Sequence, residues 1–457
     1  MSKTICSNCV SEDYLHQRIL AEGKTRKCSF CSVHAKAFSL PQLSLKVRLA
    51  LRRYYEKTAN EPTDREILMQ NEFNKTWERS GERLIDIIND EFGICYEAAQ
   101  EIEKQIIQSE EANQDYDNNE DFDDDPHYIK KEIGDDKWLG EWDSFKNTLK
   151  TQSRFFNQGV EAFLNTVFRD LDSTVTSTDK PIFTSVGPTK DISFLYRARV
   201  FQSMDNLLRA LKNPDIHLGP TPSNLASDGR MNARGISVFY GATDKDTAIA
   251  EVRPPVGSNV ITARFNILRE LYLLDLRNLK NIVEKTSVFH PQYKEKMEKA
   301  RFLSKLGHMI TQPIMPGDEV LEYLPTQAIA DYLASKTDRI IDGIIFPSVQ
   351  LKGQDTTNIV LFNKSSNVKP YDLPEGTETV VKDYEFHEDG PWKNYTVIDW
   401  IPSKRKSKTT KLKKGELQIV IDSIEVHEVN SIHFSTTSYS VGRLKIDAHL
   451  LRVNRDN

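Results

Sequence analysis

From Leu45 onward, apolar residues recur at three- and four-residue spacing: Leu84, Ile87 and Ile88, then, past a break at Gly93, Tyr96, Ala99, Ile102 and Ile106. That period predicts antiparallel helices. The pattern stops between Ser109 and Pro126, where nine acids occur without one base. So polar a run buries too little to offset its ordering entropy, and a disordered loop is expected there. Helical spacing returns with Trp138, Trp142, Phe145 and Leu149, then Phe156, Val160, Phe163, Leu164 and Val167. The loop should therefore interrupt one helical domain, with those aromatics in its core.

After about Lys180 the texture changes to short β-type runs between turns and helices: Ile192–Tyr196, Ser237–Tyr240, Val260–Phe265, Leu271–Leu274, Ile340–Phe346 and Ile359–Phe362. These predict an α+β domain of mixed sheet and helices. Past about Pro370, strand-like runs at Gln418–Val426 and Ser431–Phe434 suggest an added hairpin or small sheet. A basic stretch from Lys404 to Lys414 is expected to be an exposed loop. The expected division is a small N-terminal module at 1–40, an all-helical domain at 41–175, an α+β domain at 176–370 and a strand-rich extension of it at 371–457.

Length and composition change this picture little. A chain of 457 residues exceeds what one core organises, and a net charge of −6 selects no partner. Neither a signal peptide nor a run approaching the roughly 20 apolar residues of a membrane span is evident, so a soluble, cytoplasmic protein is expected.

The cysteines add chemistry. Cys6-Ser-Asn-Cys9 and Cys28-Ser-Phe-Cys31 form two C-x2-C pairs whose spacing closes four thiolates around one Zn²⁺. Such a site has no open position and is read as structural; His34, with four thiolates already available, is left out of it. Residues up to Lys57 carry eleven Lys and Arg against four Asp and Glu. Contact with nucleic-acid phosphates through this module is thus a reading to weigh, less favoured than a solvated basic face.

No G-x-G-x-x-G follows a strand, and no Walker or G-x-S-x-G motif occurs, so a nucleotide or acyl group would have to be handled otherwise. Six blocks stand in order: Leu195-Tyr196-Arg197, Gly229 to Gly235 with Arg230 and Asn232, Phe239-Tyr240-Gly241-Ala242, Thr247 to Glu251, Tyr323 to Gln327, and Asp342 to Ser348. Together, over roughly 190–365, they resemble the RES (Arg-Glu-Ser) domain family. The helical region before them is similar to the HEPN-like module that precedes some RES domains. It lacks the R-x4-6-H pair of a HEPN ribonuclease, because its single histidine, His127, falls beside the acidic loop. The resemblance implies an ADP-ribosyltransferase-like fold and consumption of NAD⁺, in some members by phosphorolysis and in several as a toxin, with an antitoxin or regulatory protein as partner.

The residues can also be weighed by chemistry. Breaking the nicotinamide–ribose bond leaves an oxocarbenium-like sugar, which a carboxylate stabilises. Glu251, at the end of a short helix opened by Thr243-Asp244 and stopped by Pro254-Pro255, is the expected central carboxylate. Arg197 is assigned to the NAD⁺ diphosphate, ahead of Arg199 on the same strand face. Tyr240 is placed to stack on nicotinamide, and Ser348, at a strand end, to hydrogen-bond ribose or amide. Arg230 and Asn232, in a Gly-bounded loop, are further binding candidates. Water, inorganic phosphate or a macromolecule can each accept the sugar. Transfer to arginine is disfavoured, because such transferases place a second glutamate two residues before the catalytic one and Ile249 stands there. The reading from another class is a zinc-ribbon nucleic-acid-binding regulator with a non-catalytic RES domain.

Overall fold

A computed structural model describes residues 2–443 apart from 74–75, 112–124, 316, 337–339, 352–355, 388–389, 403–414 and 434. The centre of the acidic run and the whole basic run therefore lie outside the described residues. The chain divides into two compact units, one of residues 1–185, 223–236 and 271–349, the other of 186–222, 237–270 and 350–457.

In the first unit, the strands Thr4–Cys6, Lys24–Lys27 and His34–Ser39 form an antiparallel sheet with His34–Ser39 at its centre. Helix Leu40–Tyr54 follows directly, opened by a capping box at Ser39 and Gln42 and by Pro41 in its first turn. Its buried Leu43, Val47, Ala50 and Leu51 share a core with Leu84, Ile87, Ile88, Ala98, Ala99, Ile102 and Ile106. Tyr96 is instead half exposed, since helix Tyr96–Glu111 turns Ala98, Ala99, Ile102 and Ile106 inward and its first residue away.

Nor is this region all helix. Tyr55–Lys57, Glu82–Arg83 and His127–Lys130 form a small antiparallel sheet, which places His127 on a strand whose buried member is Tyr128. Helix Asp136–Thr151 buries Trp138, Trp142, Phe145 and Leu149 as expected, and Trp138 stacks on Phe302 of helix Tyr293–Thr311. Phe156 breaks its predicted pattern. It precedes helix Gln158–Phe168, adopts φ 57° and is fully exposed, because Asn157 caps the helix at the next position. This unit also holds the strands Gly343–Pro347, Leu271–Asp275 and Phe183–Val186, side by side in that order. The first two run parallel, as the intervening helices Tyr293–Thr311 and Leu324–Ser335 require.

The second unit is built on five strands: β1 (Phe194–Phe201), β2 (Phe239–Ala242), β3 (Asn259–Ile267), β4 (Thr357–Leu361) and β5 (Leu417–Glu428), in the order β5-β3-β1-β2-β4, every neighbour antiparallel. The short helix α1 (Lys245–Glu251) lies on one face. Its Ala248, Ile249 and Val252 pack with Tyr196, Ala198, Val200, Ala242 and Val260. The predicted run Gln418–Val426 lies within β5 at the sheet edge, whereas Ser431–His433 joins no strand. A hairpin that the sequence reading did not anticipate, Glu378–His387 with Gly390–Trp400, forms a separate two-stranded sheet. The architecture is thus mixed helix and sheet.

Candidate functional site

The four N-terminal cysteines come together as their spacing requires. Cys6 and Cys9 flank a single 3-10 turn, and Cys28 and Cys31 flank another tight turn in which Ser32 takes φ 61° and its N–H donates to Cys28 O at 3.1 Å. The Sγ atoms of Cys6 and Cys9 are 3.8 Å apart, those of Cys9 and Cys28 3.8 Å, and those of Cys6 and Cys31 3.4 Å. Tetrahedral thiolates at about 2.3 Å from zinc stand about 3.8 Å from one another, so this donor set fits a zinc ion. Burial pushes the Cys6 and Cys9 thiols up. Burial acts on Cys28 in the same sense, but hydrogen bonds from the Cys31 and Phe30 backbone outweigh it and bring the thiol down to about 7. A metal that replaces the protons removes the repulsion among four closely spaced sulfurs, of which those of Cys6 and Cys28 are buried.

The second cluster lies in the five-stranded unit. Strands β1 and β2 are registered at Tyr196 opposite Ala242. One residue beyond that pair, Arg197 Nη1 donates to Tyr240 O at 3.1 Å, so a side chain bridges the two strands where their ladder ends. The guanidinium lies 4.7 Å above the Phe239 ring and is only 9% exposed, and its Nε is buried without a hydrogen-bond partner. Gly241 permits this: a Cβ there would come within 2.9 Å of the Phe239 ring and 3.1 Å of Leu195 Cβ.

Among the described residues no carboxylate pairs with Arg197. Burial, aided by repulsion from Arg199, pushes its pKa down to about 9. An unpaired buried cation is costly, and an anion seated against it would relieve that cost. Arg199, one strand repeat along, is committed to Thr221 Oγ1 at 2.5 Å and Gly219 O at 3.4 Å, which separates its role from that of Arg197.

Helix α1 delivers Glu251. Asp244 caps it by accepting from Thr247 N at 2.8 Å, and Arg253 at φ 43° followed by Pro254 ends it. The Glu251 carboxylate accepts from Asn358 Nδ2 at 2.7 Å. Asn358 sits on β4 opposite Ala242, and Tyr240 lies two residues back along β2, so both alternate onto the face that α1 covers. Arg197 leaves β1 toward the other face, alternating with Tyr196 and Ala198. The acid thus ends the helix that covers one face of the sheet, while the cation leaves β1 toward the other face, and the two form no direct ion pair with each other.

The remaining candidates belong to the other unit. Arg230 Nη1 donates to Ile310 O at 2.8 Å and its guanidinium lies 5.3 Å from the Tyr323 ring. Asn232 is 4% exposed and donates to Ser227 O, Ile236 O and Ala233 O at 2.9 to 3.3 Å, so it knits its own loop. Ser348, half buried, immediately follows the strand Gly343–Pro347. Sequence reasoning missed Asn358, whose signal was a lone amide in the buried run Thr357–Leu361, and Phe239, the ring beneath Arg197.

Among the described residues no helix is long and apolar enough to cross a membrane. No curated relative and no solved structure matches the chain. Two family models do: the HEPN/RES N-terminal domain 1 over residues 21–162 and the RES domain over 196–380, which takes in Arg197, Tyr240, Glu251, Ser348 and Asn358. The chain belongs to the RES-domain family, among the members that carry a HEPN-like N-terminal region.

Proposed function

We propose that the protein cleaves the nicotinamide–ribose bond of NAD⁺ and that its RES domain has an ADP-ribosyltransferase-like fold. The single observation that carries this reading is the buried guanidinium of Arg197, which has no carboxylate partner among the described residues and keeps an N–H to donate. A diphosphate supplies the anion that such a group lacks. Membership of the RES family supports an NAD-acting enzyme.

In the proposed reaction the C1′–N bond breaks with its electron pair, which returns the pyridinium nitrogen to neutral nicotinamide. The ribose is left as an oxocarbenium-like cation facing the Glu251 carboxylate. Water or inorganic phosphate then bonds to C1′ through oxygen; water gives up a proton to solvent as ADP-ribose forms, and phosphate gives the 1″-phosphate. Tyr240 lines the nicotinamide side, and Ser348, Arg230 and Asn232 are the further binding candidates. The reading requires the dinucleotide to pass where β1 and β2 part, so that groups from the two faces reach it.

Ile249, two residues before Glu251, packs in the apolar cluster beneath α1, which supports hydrolysis or phosphorolysis over transfer to arginine. Zinc held by Cys6, Cys9, Cys28 and Cys31 is structural on this reading. Uncontrolled NAD⁺ loss would make the protein a toxin or defence effector, with a neutralising protein as partner. The test is product identification after incubating the purified chain with NAD⁺, with and without phosphate. ADP-ribose or its 1″-phosphate, together with free nicotinamide, is expected; intact NAD⁺ in both mixtures would overturn the assignment.

A further inference from the structure

We infer that the strand Lys24–Lys27, with the Lys36 side chain beside it, is a docking surface for the phosphate backbone of double-helical nucleic acid. The inference does not depend on the NAD⁺ reading, because it concerns another part of the chain and is measured without turnover.

The strand reads Lys-Thr-Arg-Lys, and all four residues are exposed. It is an outer strand of the three-stranded sheet and pairs on one side only, with His34–Ser39. Side chains of a strand alternate between faces. Lys24 and Arg26 therefore share a face with their register partners Ala37 and Ala35, and Thr25 and Lys27 share the other with Lys36 and His34. Lys24 and Arg26 stand about 6.6 Å apart along the strand, and Lys36, directly opposite Thr25, lies about 7 to 8 Å from Lys27 on the diagonal. Lys36 is exposed as well. Cations thus flank the free edge from both faces of the sheet.

The acids of this module are spent elsewhere. Glu12 caps the helix Asp13–Glu22 by accepting from the Leu15 N–H at 2.7 Å, Asp13 stands in the first turn of that helix, and Glu22 pairs with Arg18. Glu56 belongs to a strand of a different sheet. Lys3 is neutralised by Glu101 at 2.8 Å, whereas among the described residues no carboxylate pairs with Lys24, Arg26, Lys27 or Lys36. The module's excess of cations is therefore concentrated at one edge instead of being spread over a solvated face. Like charges held this close repel one another, and a polyanion along the edge relieves that cost while releasing its own counterions.

The chemistry selects the kind of polyanion. A duplex carries one phosphate charge per about 1.7 Å of its axis, dense enough to meet all four cations at once. The strand has no aromatic side chain on which an unpaired base could stack, which disfavours a single strand. An edge strand also leaves backbone N–H groups on its outer side, and these donate to phosphate oxygens. Contacts of this kind read charge and shape, not sequence.

The test titrates the full chain with a DNA duplex and an RNA duplex of about 20 base pairs, each from about 50 to 200 mM salt. Replacing Lys24, Arg26, Lys27 and Lys36 together by Gln should reduce the slope of log K against log salt by about 3 to 4, and each single replacement should reduce it by about 1, for duplexes of unrelated sequence alike. Lys3→Gln, which removes a cation already paired, should leave the slope in place. The stretch Lys404–Lys414 is the same in every variant, so differences of slope report the edge strand alone. Zinc content and thermal transition should match the parent, since the replaced side chains are exposed; if the fourfold variant does not fold, the four single replacements decide. Binding to either duplex with this loss of slope supports the inference, and the tighter of the two names the source of the phosphates. An unchanged slope in the folded fourfold variant, an equal loss in Lys3→Gln, or no binding of the parent to either duplex overturns it. Binding to phosphatidylserine vesicles and to neither duplex would assign the edge to a lipid surface and overturn it too.

Discussion

The four-thiolate cluster and the Arg197–Glu251 region set one kind of polar site against another. The cysteines lie within 26 residues of sequence, on two tight turns, and each sulfur has the other three as neighbours. Arg197, Tyr240, Glu251 and Asn358 come from separate stretches of chain, and their relation depends on strand register and on a capped helix. The first arrangement is closed once a metal enters and has no further valence to offer. The second holds a buried cation that no carboxylate among the described residues pairs with, its Nε left without a hydrogen-bond partner. Closure stabilises a fold, whereas incompleteness serves a ligand.

The largest effect should come from breaking the closed site. Stripping the metal, or changing Cys9 to Ser, should unfold the N-terminal sheet, because metal binding at such sites is folding free energy on the order of 10 kcal/mol. Elemental analysis should give one zinc per chain, and the thermal transition of the first unit should fall or vanish on chelation. A chain that melts unchanged after complete zinc removal would show that the sulfurs pack without needing the ion.

Next comes the acid. Changing Glu251 to Ala should lower the rate of nicotinamide release at least about a hundredfold, roughly 2.7 kcal/mol of transition-state stabilisation, with circular dichroism unchanged. The fold should survive because the residue ends α1 and lies outside its buried face of Thr247 and Ala248. Unaltered turnover in this variant would move the chemistry elsewhere.

The same contrast explains what the sequence made legible. The C-x2-C spacing encodes its geometry locally, so the ligands could be named before any fold was known. The helix carrying Glu251 was readable because Asp244 and Pro254 are local signals. The β-type runs found the strands of the second unit, yet β5 pairs with β3 from more than 150 residues away, and no local pattern encodes that register. A lone amide among apolar residues marks Asn358 as unusual, but its partner could not be recognised for the same reason, since the contact with Glu251 exists only once β4 lies beside β2. The hairpin Glu378–His387 and Gly390–Trp400 was missed although Val380 stands opposite Ile398 and Val381 opposite Val397, because exposed ribbons mix apolar and polar residues on both faces. Tyr96 and Phe156 were misplaced for a plainer reason: periodicity identifies a face but not where the helix begins.

The smallest effect sharpens the comparison most. Arg277, in the first unit, binds Asp275 through Nε at 2.9 Å and Nη2 at 2.7 Å, and Asp275 is 1% exposed. Arg277→Met should therefore destabilise that unit by about 2 kcal/mol, the cost of a buried carboxylate that loses its cation and keeps the backbone N–H of residue 277, reduced by the partial exposure of the pair. Arg197→Met should do the opposite and stabilise the second unit by about 1 kcal/mol, since it removes a buried charge that no carboxylate offsets, while NAD⁺ binding is lost. The pH dependence has a definite sign. Burial depresses the folded-state pKa of Arg197 to about 9, below its ordinary value, so the cost of keeping its proton is fully present below about pH 9 and is relieved as pH rises through that value. The gain in Arg197→Met, read as the difference in denaturation midpoint from the parent, should be constant from pH 6 to about 8.5 and shrink above 9. A variant less stable than its parent at pH 7 would mean that Phe239 and the Tyr240 carbonyl already satisfy the guanidinium, and the argument for an anionic ligand at that position would fail.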